Sequence, residues 1–67
     1  EALGMTPLEA DRFIRIEQAK HLLRNTRRSA TRIANETGFC DLPHLIRVFR
    51  ASEGMTPEAW RQAQQDP

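Results

Sequence analysis

The four residues Gly4-Met5-Thr6-Pro7 recur letter for letter as Gly54-Met55-Thr56-Pro57. In both copies a glycine is followed two residues later by Thr-Pro. Glycine takes the left-handed backbone conformation that ends a helix. Threonine accepts from the free amides at the start of the next, and proline fits its first turn, where no amide hydrogen is needed. Each copy therefore predicts one helix stopping and another starting. The spacing implies that a short helical unit has been used twice. One complete unit lies between Thr6 and Gly54, and only the last residues of an earlier one precede it.

A chain of 67 residues holds one domain with a small core. Charged residues make up 28% and apolar residues 39%, which fits a small globular unit and excludes a disordered tail. No apolar run approaches the ~20 residues that span a bilayer, no signal peptide is visible, and the single Cys40 cannot close an internal disulfide. A cytoplasmic setting with no membrane partner is expected. The formal net charge of +1 conceals an uneven distribution. Arg12 to Arg50 contains nine basic residues against Glu17, Glu36 and Asp41, and the other acids lie in the two ends. A basic middle of this kind attracts phosphate backbones, and it also describes an ordinary solvated, salt-bridged helical surface.

The periodicity predicts an all-α domain of four helices, near 6–26, 29–37, 41–53 and 57–65, with no strand signal. Thr6-Pro7-Leu8-Glu9 reads as a capping box opening the first helix. At ~100° per residue, Leu8, Ile16, Ala19, Leu22 and Leu23 share one side of it, and Ala10, Phe13 and Ile14 the other. Phe13 and Ile14 have no evident partner within the chain. They are either scattered surface apolars or the seat of a missing neighbour. Ser29 caps the second helix, whose Ala30, Ile33 and Ala34 face inward, and Gly38 stops it, with Phe39 folding back. Asp41 caps the third, with Pro43 in its first turn and Leu45, Val48, Phe49 and Ser52 as the inward stripe. Trp60, on the last helix, is expected to seal the core.

Two short helices joined by a turn of about three residues containing glycine form the helix-turn-helix signature, whose second helix is presented to the DNA major groove. With the inward stripe assigned, the opposite side of 41–53 carries Leu42, Pro43, His44, Ile46, Arg47 and Arg50. Helix starts at Ser29 and Asp41 add backbone amides that suit phosphate.

Arg15-Ile16-Glu17-Gln18-Ala19, Leu22-Leu23, Ile33-Ala34, Gly38-Phe39, Leu45, Arg47-Val48-Phe49-Arg50 and Gly54-Met55-Thr56-Pro57 followed by Trp60-Arg61 resemble the AraC/XylS family of bacterial transcription regulators. That resemblance implies two helix-turn-helix units joined by a long helix. Residues 1–5 would be the tail of the first unit, 6–27 the linking helix and 28–67 the second unit, with the absent first unit packing near Phe13 and Ile14. The partner implied is double-stranded DNA, with Leu42, Pro43, His44, Ile46 and Arg47 facing bases. Arg27, Arg28, Ser29, Thr31, Arg32, Asp41 and Arg50 would face phosphates.

Two departures qualify this. Positions 42, 43 and 46, which align with base-reading positions in the family, hold Leu, Pro and Ile, none able to hydrogen-bond a base edge through its side chain. Affinity is then expected mainly from phosphates, with His44 and Arg47 the polar candidates for base reading. Ala10 also stands where the repeat would place a large aromatic matching Trp60. The same apolar trio supports an alternative, a protein-contact module docking on RNA polymerase or a partner domain.

Cys40, Asp41 and His44 lie close in sequence, but a structural zinc site needs four ligands, and this chain has one Cys and two His. A catalytic Cys-His pair needs a cleft that so small a helical unit scarcely offers. No metal, cofactor or enzymatic activity is expected.

Overall fold

In the computed structural model, residues 6–65 are described; the first Gly-Met pair and the tail assigned to residues 1–5 lie outside them. Four helices follow in order: α1 (Pro7–Asn25), α2 (Ala30–Glu36), α3 (Leu42–Glu53) and α4 (Pro57–Gln65). Every start carries its expected cap. Thr6 Oγ1 accepts from the Glu9 amide and Glu9 Oε1 accepts from the Thr6 amide, both at 3.1 Å, completing the capping box. Ser29 Oγ accepts from the Arg32 amide at 3.1 Å, Asp41 Oδ1 from the His44 amide at 3.0 Å, and Thr56 Oγ1 from the Ala59 amide at 3.1 Å. The stops are equally direct. Gly38 and Gly54 have φ of 89° and 81°, a region that costs any residue with a Cβ. The Phe39 amide donates to the Ala34 carbonyl at 2.9 Å, closing the loop typical of a glycine-ended helix.

One apolar cluster holds the helices together. It joins Ile16, Ala19 and Leu23 of α1, Ile33 and Ala34 of α2, Phe39 of the turn, Leu45 and Phe49 of α3, and Trp60 of α4. Phe49 and Trp60 meet edge to face with ring centroids 6.1 Å apart. Three details depart from the periodic pattern. Leu8 is 59% exposed, although it shares a side of α1 with Ile16 and Leu23. The cause is length: α1 has 19 residues, about 28 Å, and only its C-terminal half has helices to pack against. Val48 is half-buried and Ser52 exposed, so the sealed stripe of α3 narrows to Leu45 and Phe49. The Ser52 hydroxyl instead donates to Glu53 Oε2 at 3.1 Å.

Polar tethers cross between elements. Arg15 Nη1 donates to the Gly38 carbonyl at 2.7 Å, fixing the α2–α3 turn to α1. Lys20 Nζ lies 3.2 Å from Glu17 and 3.4 Å from Glu53, with the Trp60 ring 5.8 Å away. Burial favours the neutral amine, but the hydrogen bonds and charges of Glu17 and Glu53 outweigh it and raise the Lys20 pKa. A raised lysine stabilises the fold below its ordinary pKa, and that contribution is lost as pH rises through the raised value. The end of α1 has no glycine stop, so its last carbonyls need other donors. Arg61 of α4 meets one of them and two carbonyls of the corner that follows. Its Nε donates to Leu23 at 3.0 Å, and its Nη2 to Thr26 at 3.3 Å and Arg28 at 2.7 Å.

Trp60→Ala should cost about 3–5 kcal/mol, as much as the whole stability a core this small provides. Far-UV circular dichroism at room temperature should then show most of the helix lost; a parent-like melting curve would contradict the core assignment. Arg61→Ala should cost about 2 kcal/mol in urea unfolding, for charge-assisted bonds to three carbonyls. Arg61→Lys should restore little, because one ammonium cannot span acceptors reached from two edges of a guanidinium. Full recovery by lysine would show that charge alone matters there.

Candidate nucleic-acid interface

Sealing Leu45 and Phe49 into the core determines which side of α3 faces outward. Pro43, Arg47 and Arg50 are exposed there and Ile46 is half-buried. Together with Ala51 and Gly54 they line one shallow depression. Arg47 and Arg50 sit about one turn apart, and neither has an ion-pair partner among the described residues. Their guanidinium edges are free to meet phosphate or base acceptors.

The remaining residues expected on this side are placed differently. Leu42 is half-buried against the core cluster, so the apolar part of the outer surface reduces to Pro43 and Ile46. A leucine in the first turn is pulled inward because Phe39, just before it, brings the turn against the core. His44, expected to be an exposed helix residue, is half-buried too. Its ring stands edge-on to Phe39 at 5.4 Å, and its Nδ1 accepts from the Cys40 amide at 3.4 Å. With Nδ1 so used, Nε2 is the ring nitrogen left to meet another partner. Asp41 spends its carboxylate on the His44 amide, and Pro43 has no amide hydrogen. The start of α3 therefore offers an anion little beyond the Leu42 amide, and the Asp41 side chain itself is an acceptor.

Around α2, Arg27, Arg28, Ser29, Thr31 and Arg32 are all exposed. The Ser29 hydroxyl is occupied as a cap. Arg28 and Arg32 converge on one carboxylate, both at 2.9 Å from Glu36. The Arg32 hydrogen bond is the largest influence on Glu36; desolvation opposes it, the charges of Arg28 and Arg32 add to it, and the pKa is lowered. Glu36 therefore stays ionised at neutral pH, and its pairing is lost only as pH falls through that lowered value.

The basic middle of the chain thus divides in two. Arg15, Lys20, Arg28 and Arg32 are held by Asp11, Glu17, Glu53 and Glu36. Arg12, Arg24, Arg27, Arg47 and Arg50 have no ion pair among the described residues. Arg12 was counted in the sequence only as charge, yet it lines a groove between α1 and α3 together with Arg47, His44 and Val48. Its position two residues before Ile14 carries no sign of that neighbourhood; only the crossing of α1 over α3 creates it.

Phe13 and Ile14 are 51% and 54% exposed. Phe13 borders the groove toward α3 on one side of α1, and with Ile14 the groove toward Glu36 and Thr37 on the other. Among the described residues no group of His, Cys, Asp and Glu is arranged to hold a metal ion, and no helix is long and apolar enough to cross a membrane.

Residues 1–63 match the model of a family described as a helix-turn-helix domain. The chain is similar to the HTH-type transcriptional activator RhaS of Escherichia fergusonii, with 39% identity over 59 residues. It is 41% identical over 59 residues to the HTH-type transcriptional activator RhaR of Cronobacter sakazakii. Each alignment covers 88% of this chain and 21% of the relative. The chain accordingly spans about a fifth of the length of the curated relatives it matches. No solved structure matches it.

Proposed function

The chain belongs to the AraC/XylS family of helix-turn-helix regulators, and on that footing we propose that it is a sequence-specific DNA-binding module of a bacterial transcription regulator, working in the cytoplasm without enzymatic activity. In this reading α3 enters the major groove. Arg47 and the Nε2 of His44 are its polar contacts to base edges, and Pro43 and Ile46 offer apolar contact to thymine methyl groups. Arg50 and Arg27 grip phosphates, as do Arg28 and Arg32 once released from Glu36, with the Ser29 and Thr31 amides at the start of α2 and the Leu42 amide beside Asp41 completing the set. Most of the affinity then comes from the phosphate backbone, because the outer surface of α3 holds few groups able to tell one base pair from another.

A single observation carries this reading. Arg47 and Arg50 are exposed, unpaired among the described residues and one turn apart, on the helix whose other side forms the core. Side chains with no internal acceptor, on the outward side of the second helix of a helix-turn-helix, are suited to an external one. A first helix-turn-helix unit is the proposed cover for Phe13 and Ile14. It would leave α1 as the bridge between the two units.

The alternative, a module docking on RNA polymerase through its apolar surface, loses support from Leu42, whose side chain is turned toward the core. What is left of that patch, Pro43 and Ile46, is small beside the two arginines flanking it.

Salt titration separates the two readings. For DNA the logarithm of affinity should fall linearly with the logarithm of salt, by about 0.9 for each phosphate neutralised. Arg50→Ala should weaken binding to every duplex alike and flatten that slope by about 0.9. Arg47→Ala should weaken binding and also relax any preference among sequences, at a cost of about 1–3 kcal/mol on the preferred one. Binding that ignores salt and both substitutions would remove α3 from the duplex.

A further inference from the structure

Arg28 and Arg32 are the two arginines nearest the start of α2 that the DNA-binding reading needs, and neither is free. Arg28 Nη1 meets Glu36 Oε1 and Arg32 Nε meets Glu36 Oε2, each at 2.9 Å. One carboxylate thus uses both its oxygens on two guanidinium groups, the arrangement a phosphate would otherwise provide. We propose that Glu36 is an internal rival of DNA phosphate, which holds Arg28 and Arg32 in the free chain and so limits how tightly it grips duplexes of any sequence. The proposal rests on the DNA-binding reading and assigns that interface a residue that restrains it.

The geometry supports displacement over permanent pairing. The side chains of Arg28, Arg32 and Glu36 are 41%, 64% and 32% exposed, so water and salt reach all three. Exposed pairs of this type are weak because water and salt screen them, and a phosphate backbone offers many acceptors in place of one. Arg32 is held through Nε, which leaves terminal nitrogens for a second acceptor, and Arg28 is held through one terminal nitrogen only. Glu36 remains an anion beside any phosphate that arrives, and like charges at that distance repel. Because the competition is with phosphate, its effect is blind to base sequence, and it lowers non-specific binding along with specific binding.

The test uses the 67-residue chain and its E36Q variant against a mixed-sequence DNA duplex at several salt concentrations, with far-UV circular dichroism confirming the fold of each variant. E36Q keeps the shape of the side chain and removes its charge. It should bind roughly three- to tenfold tighter at low salt, the release of two surface pairs, and its salt slope should steepen by about 0.9–1.8. E36D, which keeps the charge, should bind like the parent. In an R28A/R32A background, E36Q should change little, because the arginines it frees are gone; a full gain there would overturn the assignment to these two residues. Should E36Q bind no better than the parent, or worse, while Arg50→Ala still weakens binding, Glu36 is no rival and the DNA-binding reading survives. If neither E36Q nor Arg50→Ala alters duplex binding, that reading fails and the role of Glu36 falls with it.

Discussion

The orientation of α3 about its own axis rests on two side chains. Leu45 and Phe49 are fully enclosed, four residues apart, against α1 above and Trp60 at the far end. A pair at this spacing sets a narrow inward stripe, and everything presented outward follows from it. Had the stripe been as wide as the apolar letters suggest, with Leu42 outside and Ser52 inside, the helix would be turned by part of a residue. Arg47 and Arg50 would then share their surface with a larger greasy patch. The edge-to-face contact of Phe49 with Trp60 prevents that rotation, since an aromatic ring cannot slide past another without opening a void. The outer surface of α3 is thus a consequence of the core and would be disturbed by changes at residues that never touch a ligand.

Charge in this chain is arranged as carefully as apolar surface. Counting bases between Arg12 and Arg50 suggests a strong positive field, yet the few acids present sit where they absorb the most of it. Glu17 and Glu53 hold Lys20, Asp11 holds Arg15, and Glu36 holds two arginines. Lys20–Glu53 joins α1 to α3 and Arg28–Glu36 braces the corner before α2, while the other pairs run along single helices. Among the described residues Arg12, Arg24, Arg27, Arg47 and Arg50 have no ion pair, and Arg12 and Arg47 line the groove between α1 and α3. The field that an approaching polyanion meets is therefore smaller and more localised than composition implies.

The starts of the helices and the ends of α2 and α3 were legible because they are written in local chemistry. Thr6, Ser29, Asp41 and Thr56 each reach an amide three residues on, and Gly38 and Gly54 each take a conformation that other residues avoid. None of this needs knowledge of the fold. The core was legible where a helix is covered along its whole width, as with Ile33, Ala34 and Phe39. It was misread at Leu8 and Ser52, where periodicity names a side of a helix but not how far the covering helices extend. Side-chain partners distant in sequence left no trace. Arg61 closing the end of α1, Arg15 on the Gly38 carbonyl and the ring of His44 turned onto Phe39 all depend on helices crossing at particular places. Of the candidate contact residues, Arg47 and Arg50 could be placed from helical phase alone. Leu42 and His44 could not, because the first turn of α3 packs against Phe39 and the core that precede it.

On the proposed reading, the poverty of the outer surface of α3 and the length of α1 explain one another. A single unit with few base contacts binds weakly, and a second unit multiplies affinity only when both can engage together. A flexible linker would spread the second unit over many positions and dilute that gain, whereas a helix fixes both distance and direction. The 19 residues of α1 extend about 28 Å, comparable with the ~34 Å of one duplex turn, so units at its two ends would meet successive stretches of the same groove. A bridge of that kind has to carry apolar residues on opposite sides at its two ends, one set for each unit. Ile16, Ala19 and Leu23 serve the unit present here. Phe13 and Ile14 are exposed in the other half of α1, where the second set is required, and both also border grooves toward this unit.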